Sequence, residues 1–238
     1  MKISVFSTKA SSQQGKPVLA KDHIPEWYRK GETYYYVSDC SDPSCEEVHN
    51  QEKKAGLKTC IPVFDAMTSG YFLVTPIDIY VGFDDENNLN IKWNAPDDYS
   101  DFVMERPDKS GKTIPRPAGH LNNHMVWSGQ WGIKTPRNYS VIVTHPLNRF
   151  DLPFTTMSGI MDSDKVFIGG NVPFFIKEGF TGLIPEGTPY AQLIPVKRKK
   201  WNMIVNNQRK DLMQIQDVKI ASEEKYYKKR LWQKKEYL

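Results

Sequence analysis

No window of this 238-residue chain holds the roughly eighteen apolar residues that a membrane-crossing helix needs, so the sequence predicts no membrane span and no membrane partner. Cysteine is scarce. Three thiols, Cys40, Cys45 and Cys60, cannot all pair within one chain, which argues against a disulfide scaffold and for a reducing compartment. The opening MKISVFSTKASS carries two lysines and only a brief apolar patch, so it lacks the apolar core of a secretory leader. A soluble protein of intracellular origin is expected. Repeats and low-complexity tracts are also missing, which excludes solenoid and fibrous architectures.

What the chain has in quantity is punctuation. Sixteen prolines, fifteen glycines and 12% aromatic residues suit many short strands and argue against a helical bundle. Residues 154–198 carry this grammar most completely: the apolar runs GIM, VFI, PFFI, GLI and AQLIPV are separated by Asp-Ser-Asp, Gly-Gly-Asn, Lys-Glu-Gly and Pro-Glu-Gly. Residues 77–83 and 89–93 alternate apolar with polar around an acidic 84–88 turn, as a hairpin does. That turn has no glycine hinge and no later glutamate at calcium-loop spacing, so it reads as solvated.

Outside the strands, residues 2–6 read as a first strand and a short helix begins near Pro25. Residues 61–67 have helical spacing ending at Gly70, the usual residue for a left-handed helix cap. Residues 201–205 read as one more strand. Residues 218–237 read as a C-terminal helix capped by Ser222, with Glu223 and Glu224 at the positive end of its dipole. The expected organisation is an N-terminal wrap over 1–60, a β domain over 61–205 and a basic helical tail over 206–238.

Charge is divided unevenly. Residues 197–238 carry thirteen Lys and Arg against five Asp and Glu, a net of +8, which leaves 1–196 at −4 within the chain's +4. Such a tail either binds nucleic acid or an acidic surface, or is a solvated helix face. Cys40, Cys45, His49 and Cys60 offer thiolate and imidazole ligands of the kind tetrahedral zinc takes, at no standard finger spacing; the other reading is an acidic loop that happens to hold thiols. His120 and His124 lie four apart and would share a face on a helix, although the surrounding Gly119 and Asn122-Asn123 favour a loop.

Gly159, Ile160, Asp162 and Ser163, then Ile176, Gly179, Gly187 and Ala191-Gln192-Leu193-Ile194, resemble the C-terminal half of the dUTPase and dCTP deaminase superfamily. The resemblance implies a mainly β fold: a distorted antiparallel β-barrel or sandwich, here with an irregular N-terminal region and a C-terminal helix. It also implies that Asp162 orients a water for attack on a nucleotide α-phosphate, that Arg149 contacts phosphate, and that magnesium neutralises the triphosphate. Three departures fall on that chemistry. Phe72 stands where the family's first acid would be, residues 145–149 read HPLNR in place of its Arg-Ser-Ser, and Lys165-Val166-Phe167 replaces its aromatic-Arg-Gly.

The Ile-Pro-Glu-Trp-Tyr opening and the CIPVFDAMTSGY segment resemble proteins encoded by tailed bacteriophages. That implies a virion component or a protein of the host cytoplasm, with other virion proteins as partners. Superfamily domains commonly assemble as trimers, so a homotrimer is expected. Three functions stay open at this point: a non-catalytic assembly protein, a dUTPase-like nucleotide pyrophosphatase, and a nucleotide or nucleic-acid binder without turnover. Asp162 has two roles open, since Asp-Ser-Asp is also an ordinary turn whose side chains bond their own backbone.

Overall fold

The computed structural model describes residues 1–7, 14–38, 51–93, 99–106, 114–205, 210–223 and 225–238. In chain order the strands run β1 (Ser4–Ser7), β2 (Val18–Leu19), β3 (Tyr34–Ser38), β4 (Gln51–Ala55), β5 (Tyr71–Val74), β6 (Ile79–Phe83), β7 (Leu89–Lys92) and β8 (Val103–Glu105). They continue with β9 (Met125–Trp127), β10 (Trp131–Lys134), β11 (Tyr139–Thr144), β12 (Phe154–Thr156), β13 (Gly159–Met161), β14 (Val172–Ile176), β15 (Gly182–Ile184) and β16 (Pro189–Lys197). The α-helices are α1 (Glu26–Lys30), α2 (Ile61–Thr68) and α3 (Lys210–Ser222). No helix among the described residues is long and apolar enough to cross a membrane.

The protein is mainly β, and every ladder between these strands is antiparallel. The largest sheet has the order β13-β11-β16-β5-β2, and beside it stand β12-β14-β9-β8, β15-β6-β7 and the pairs β1-β10 and β3-β4. Among the described residues these sheets are open and none closes on itself. The chain divides into two compact units, one of 1–23, 67–198 and 237–238, the other of Ile24–Ala66 and Lys199–Glu236.

In the first unit β16 is the central strand, and Tyr190, Ala191, Gln192 and Leu193 are all at most 2% exposed. Consecutive buried residues mean that both faces of the strand are covered, which is why AQLI is apolar without alternating. Gln192 is the polar exception. Its carboxamide accepts from the Leu147 N–H at 2.8 Å and donates to the Ser69 carbonyl at 2.7 Å, so burial costs it little. The core centres on Trp127, which stacks on Phe174 at 3.8 Å between ring centroids and meets Phe154 edge-on. Burying each of these phenylalanines contributes about 3 kcal/mol.

The hairpin read over 77–93 is present as β6 and β7, paired from Tyr80↔Lys92 to Phe83↔Leu89. Its turn is closed by the Asp84 carboxylate, which accepts from the Glu86 and Asn88 N–H groups, with Asn87 in the left-handed region. α2 gives way to β5 through Gly70 at φ +73°, as its spacing predicts. The first strand is likewise present as β1, paired with β10.

The second unit is held by aromatic and charged contacts. Tyr28 of α1 is buried and packs on Phe64 at 6.1 Å, while Trp232 Nε1 and Lys235 Nζ both donate to Asp65. β3 and β4 form a two-stranded hairpin in which the Lys53 ammonium lies 4.0 Å from the Tyr34 ring centre.

Three local expectations are corrected. The C-terminal α-helix spans Lys210–Ser222, not 218–237: Ser222 bonds back to the Lys219 carbonyl and ends the helix, Lys225 turns the chain with φ +63°, and a short π-helical turn follows at Tyr227–Leu231. The 201–205 segment pairs with no described strand and leaves Trp201, Met203, Ile204 and Val205 between 76% and 91% exposed. The VFI run at 166–168 is not a strand either, because the Lys165 and Val166 N–H groups are spent on the Asp162 carbonyl in the preceding turn.

Candidate functional site

Asp162 sits in the Asp-Ser-Asp turn after the edge strand β13. β13 pairs with β11, and β11 with β16, so the turn comes level with Ser140 and with Arg198 just beyond the end of β16. Asp162 Oδ1 accepts from Ser140 Oγ at 2.7 Å and from Arg198 Nη1 at 3.0 Å. The other guanidinium nitrogen, Nη2, donates to Asp164 Oδ2 at 2.5 Å, and Asp164 also receives the Asn138 N–H at 2.8 Å. Arg198 therefore clamps two acids at once while bonding the Tyr139 carbonyl and Ser140 Oγ.

The electrostatics follow from these donors. The Ser140 hydroxyl, helped by Arg198, holds the Asp162 carboxyl below its ordinary value. Hydrogen bonding from Arg198 brings Asp164 down to about 2, and its side chain is only 6% exposed. A carboxylate whose charge is satisfied this way is a weak base. It is also poorly placed for a metal. The place where a divalent cation would neutralise the two acids is taken by a guanidinium, so Asp162 and Asp164 do not fit a magnesium site.

Arg149 belongs to a separate ion pair. Its Nε and Nη2 grip the Asp151 carboxylate at 2.8–3.1 Å, and its carbonyl meets His145 Nε2 at 3.1 Å. Burial pushes His145 below the ordinary imidazole range, and its Nδ1 accepts from the Thr156 N–H, so the ring is neutral and serves the local backbone. Phe72, at the first-motif position, is 1% exposed and packs in the core with Ala20 and Val74.

His120 and His124 lie on a loop rather than a helix. The His120 ring engages the Ala118 carbonyl and Thr155 Oγ1, while the His124 ring stacks on Phe175 at 5.6 Å with burial lowering its pKa. Of the zinc candidates, Cys40, Cys45 and His49 fall outside the described residues. Cys60 is a half-buried free thiol, and the described residues contain no group of three or more potential metal ligands.

Next to β13 lies a cavity of about 260 Å³, lined mainly by apolar groups including Ile133, Val143, Ile160, Met161 and Ile168. Trp131 also lines it, and the Trp131 indole N–H is buried without a hydrogen-bond partner among the described residues. Ile160 is 73% exposed and Ile168 67% exposed, so the rim of this cavity is itself apolar. Sequence reasoning missed Arg198, filing it with the basic tail. The signal was there in Asp162 and Asp164, two acids a residue apart that need a cation.

No protein-family model matches the chain, and no curated protein matches it. Among solved structures the chain is similar to native EIAV dUTPase, at 15% identity and a TM-score of 0.30, over 60% of this chain and 86% of that one. A likeness that slight assigns neither a residue role nor an activity.

Proposed function

We propose that this chain is a non-catalytic, dUTPase-like bacteriophage protein that acts in assembly or as a virion component. The observation that carries the reading is the Arg198 clamp, which uses Asp162, the one acid matching the superfamily's catalytic position, to fasten β13 to β11 and β16. Arg149, which the resemblance assigns to phosphate, is likewise paired with Asp151. Exposed apolar side chains at 201–205 support the assembly half of the reading, because a surface of that kind needs covering.

A second reading, a nucleotide binder without turnover, is favoured by the apolar cavity, which suits a flat ring. One experiment separates these readings from a pyrophosphatase: dUTP, dCTP and the other nucleoside triphosphates, with magnesium, assayed on one sample for pyrophosphate release and for thermal stabilisation. Neither signal is expected. Stabilisation alone would move the assignment to the binder, and pyrophosphate release lost in Asp162→Asn would overturn the non-catalytic reading.

A further inference from the structure

α3 is a thirteen-residue helix on which every residue from Asp211 to Ser222 is exposed, including Leu212 (45%), Ile215 (50%) and Val218 (68%). A helix of this length without tertiary packing is marginal in water, because nucleation is costly and there are few hydrogen bonds to offset it. Its apolar side chains therefore call for a partner. Lys210, Asp211, Asp217 and Lys219 give α3 no net charge, which makes it a poor ligand for nucleic acid or an anionic membrane.

We infer that α3 is a self-association element, pairing antiparallel with α3 of a second copy so that the two helices cross at Ile215. At about 100° per residue, Leu212 and Val218 lie about 60° to either side of Ile215, and Asp211 and Lys219 about 40° to either side. A two-fold axis beside Ile215 brings each residue to the height of its mirror position in the other copy. Leu212 then stands level with Val218, and Asp211 with Lys219, at both ends of the pair. A parallel pairing would set Asp211 beside Asp211 and Lys219 beside Lys219. The antiparallel one converts both repulsions into attractions and opposes the helix dipoles. Met213 falls about 160° from Ile215, on the far side of the seam. The inference rests on the assembly reading and gives it a surface, with a two-fold pairing where the resemblance implied a homotrimer.

The helix is about 20 Å long and buries far less than a standard interface, so the pairing acts at high local concentration. The test is sedimentation equilibrium of the full chain over about 5–500 μM, the range in which small interfaces associate. Ile215→Glu should weaken self-association at least tenfold, and Met213→Glu should leave it within about twofold, since only the first charge would be buried. Asp211→Lys and Lys219→Asp should each weaken it, and the double exchange should recover most of the loss. Near-UV circular dichroism from the Trp127 cluster confirms that each variant is folded. Association that survives Ile215→Glu, or a double exchange no better than the single ones, overturns the helix pairing and leaves the assembly reading standing. A monomer at every concentration likewise overturns the helix pairing.

Discussion

The Leu193 carbonyl oxygen occupies the space that a side chain on Gly70 would fill. Gly70 also has φ +73°, so two independent constraints require glycine at the junction of α2 and β5. Gly70→Ala should cost about 1–3 kcal/mol from the backbone conformation alone, and more from the overlap, because the obstacle is main chain in the central strand and cannot rotate away. Urea unfolding checks this, and a change under about 0.5 kcal/mol would mean that Gly70 and Leu193 approach less closely.

Phe174→Ala should destabilise the first unit by about 3–5 kcal/mol, as expected for a large ring deleted from a closed core. It should also change the near-UV circular dichroism, because Trp127 loses the ring stacked on its face. An unchanged spectrum would show that the stack does not fix the indole.

Acid should act in two steps of the same sign. His145 is held below its ordinary 6.5 by burial, so as pH falls below that value the unfolded chain takes up the proton first and stability drops. Asp162 and Asp164 are held below their ordinary 3.8, Asp164 at about 2, so their contribution is complete above about 4 and is lost as pH falls toward 2. Urea midpoints measured from pH 8 to pH 2 should show both windows. Burial lowers His124 in the same direction, so His145→Gln should shrink the upper window, leave the part due to His124, and spare the lower.

Within the clamp the substitutions should rank. Arg198→Gln should lower the melting temperature more than Asp162→Asn, because it strips the charge partner from the nearly buried Asp164 as well as from Asp162. The gap between the two variants should narrow as pH falls toward 2, where Asp164 becomes about half protonated. Equal melting temperatures at pH 7 would show that Asp164 is served by Asn138 alone.

Local chemistry was legible in the sequence. β16, the β6–β7 hairpin and the glycine after α2 follow from apolar runs, turn residues and a left-handed cap, all of which act within a few positions. Interactions that depend on strand order were not. Arg198 reaches Asp162 only because β11 lies between β13 and β16, and no spacing in the sequence encodes that neighbour relation. The 166–168 run failed for the opposite reason: its composition suits a strand, but the turn at Asp162 had already used the nearby amides. α3 lacks a clean apolar stripe, so its boundaries were set by Ser222, a residue equally able to start or end a helix.

The clamp also bears on how the molecule comes apart. Arg198 is 36 residues from Asp162, 34 from Asp164 and 58 from Ser140, so its bonds can form only after three strands have found one another. We expect a contact that needs all three strands in place to form after the folding transition state. Removing it should leave the refolding rate almost unchanged and speed unfolding instead, so Arg198 governs how long the folded chain lasts rather than how quickly it is reached.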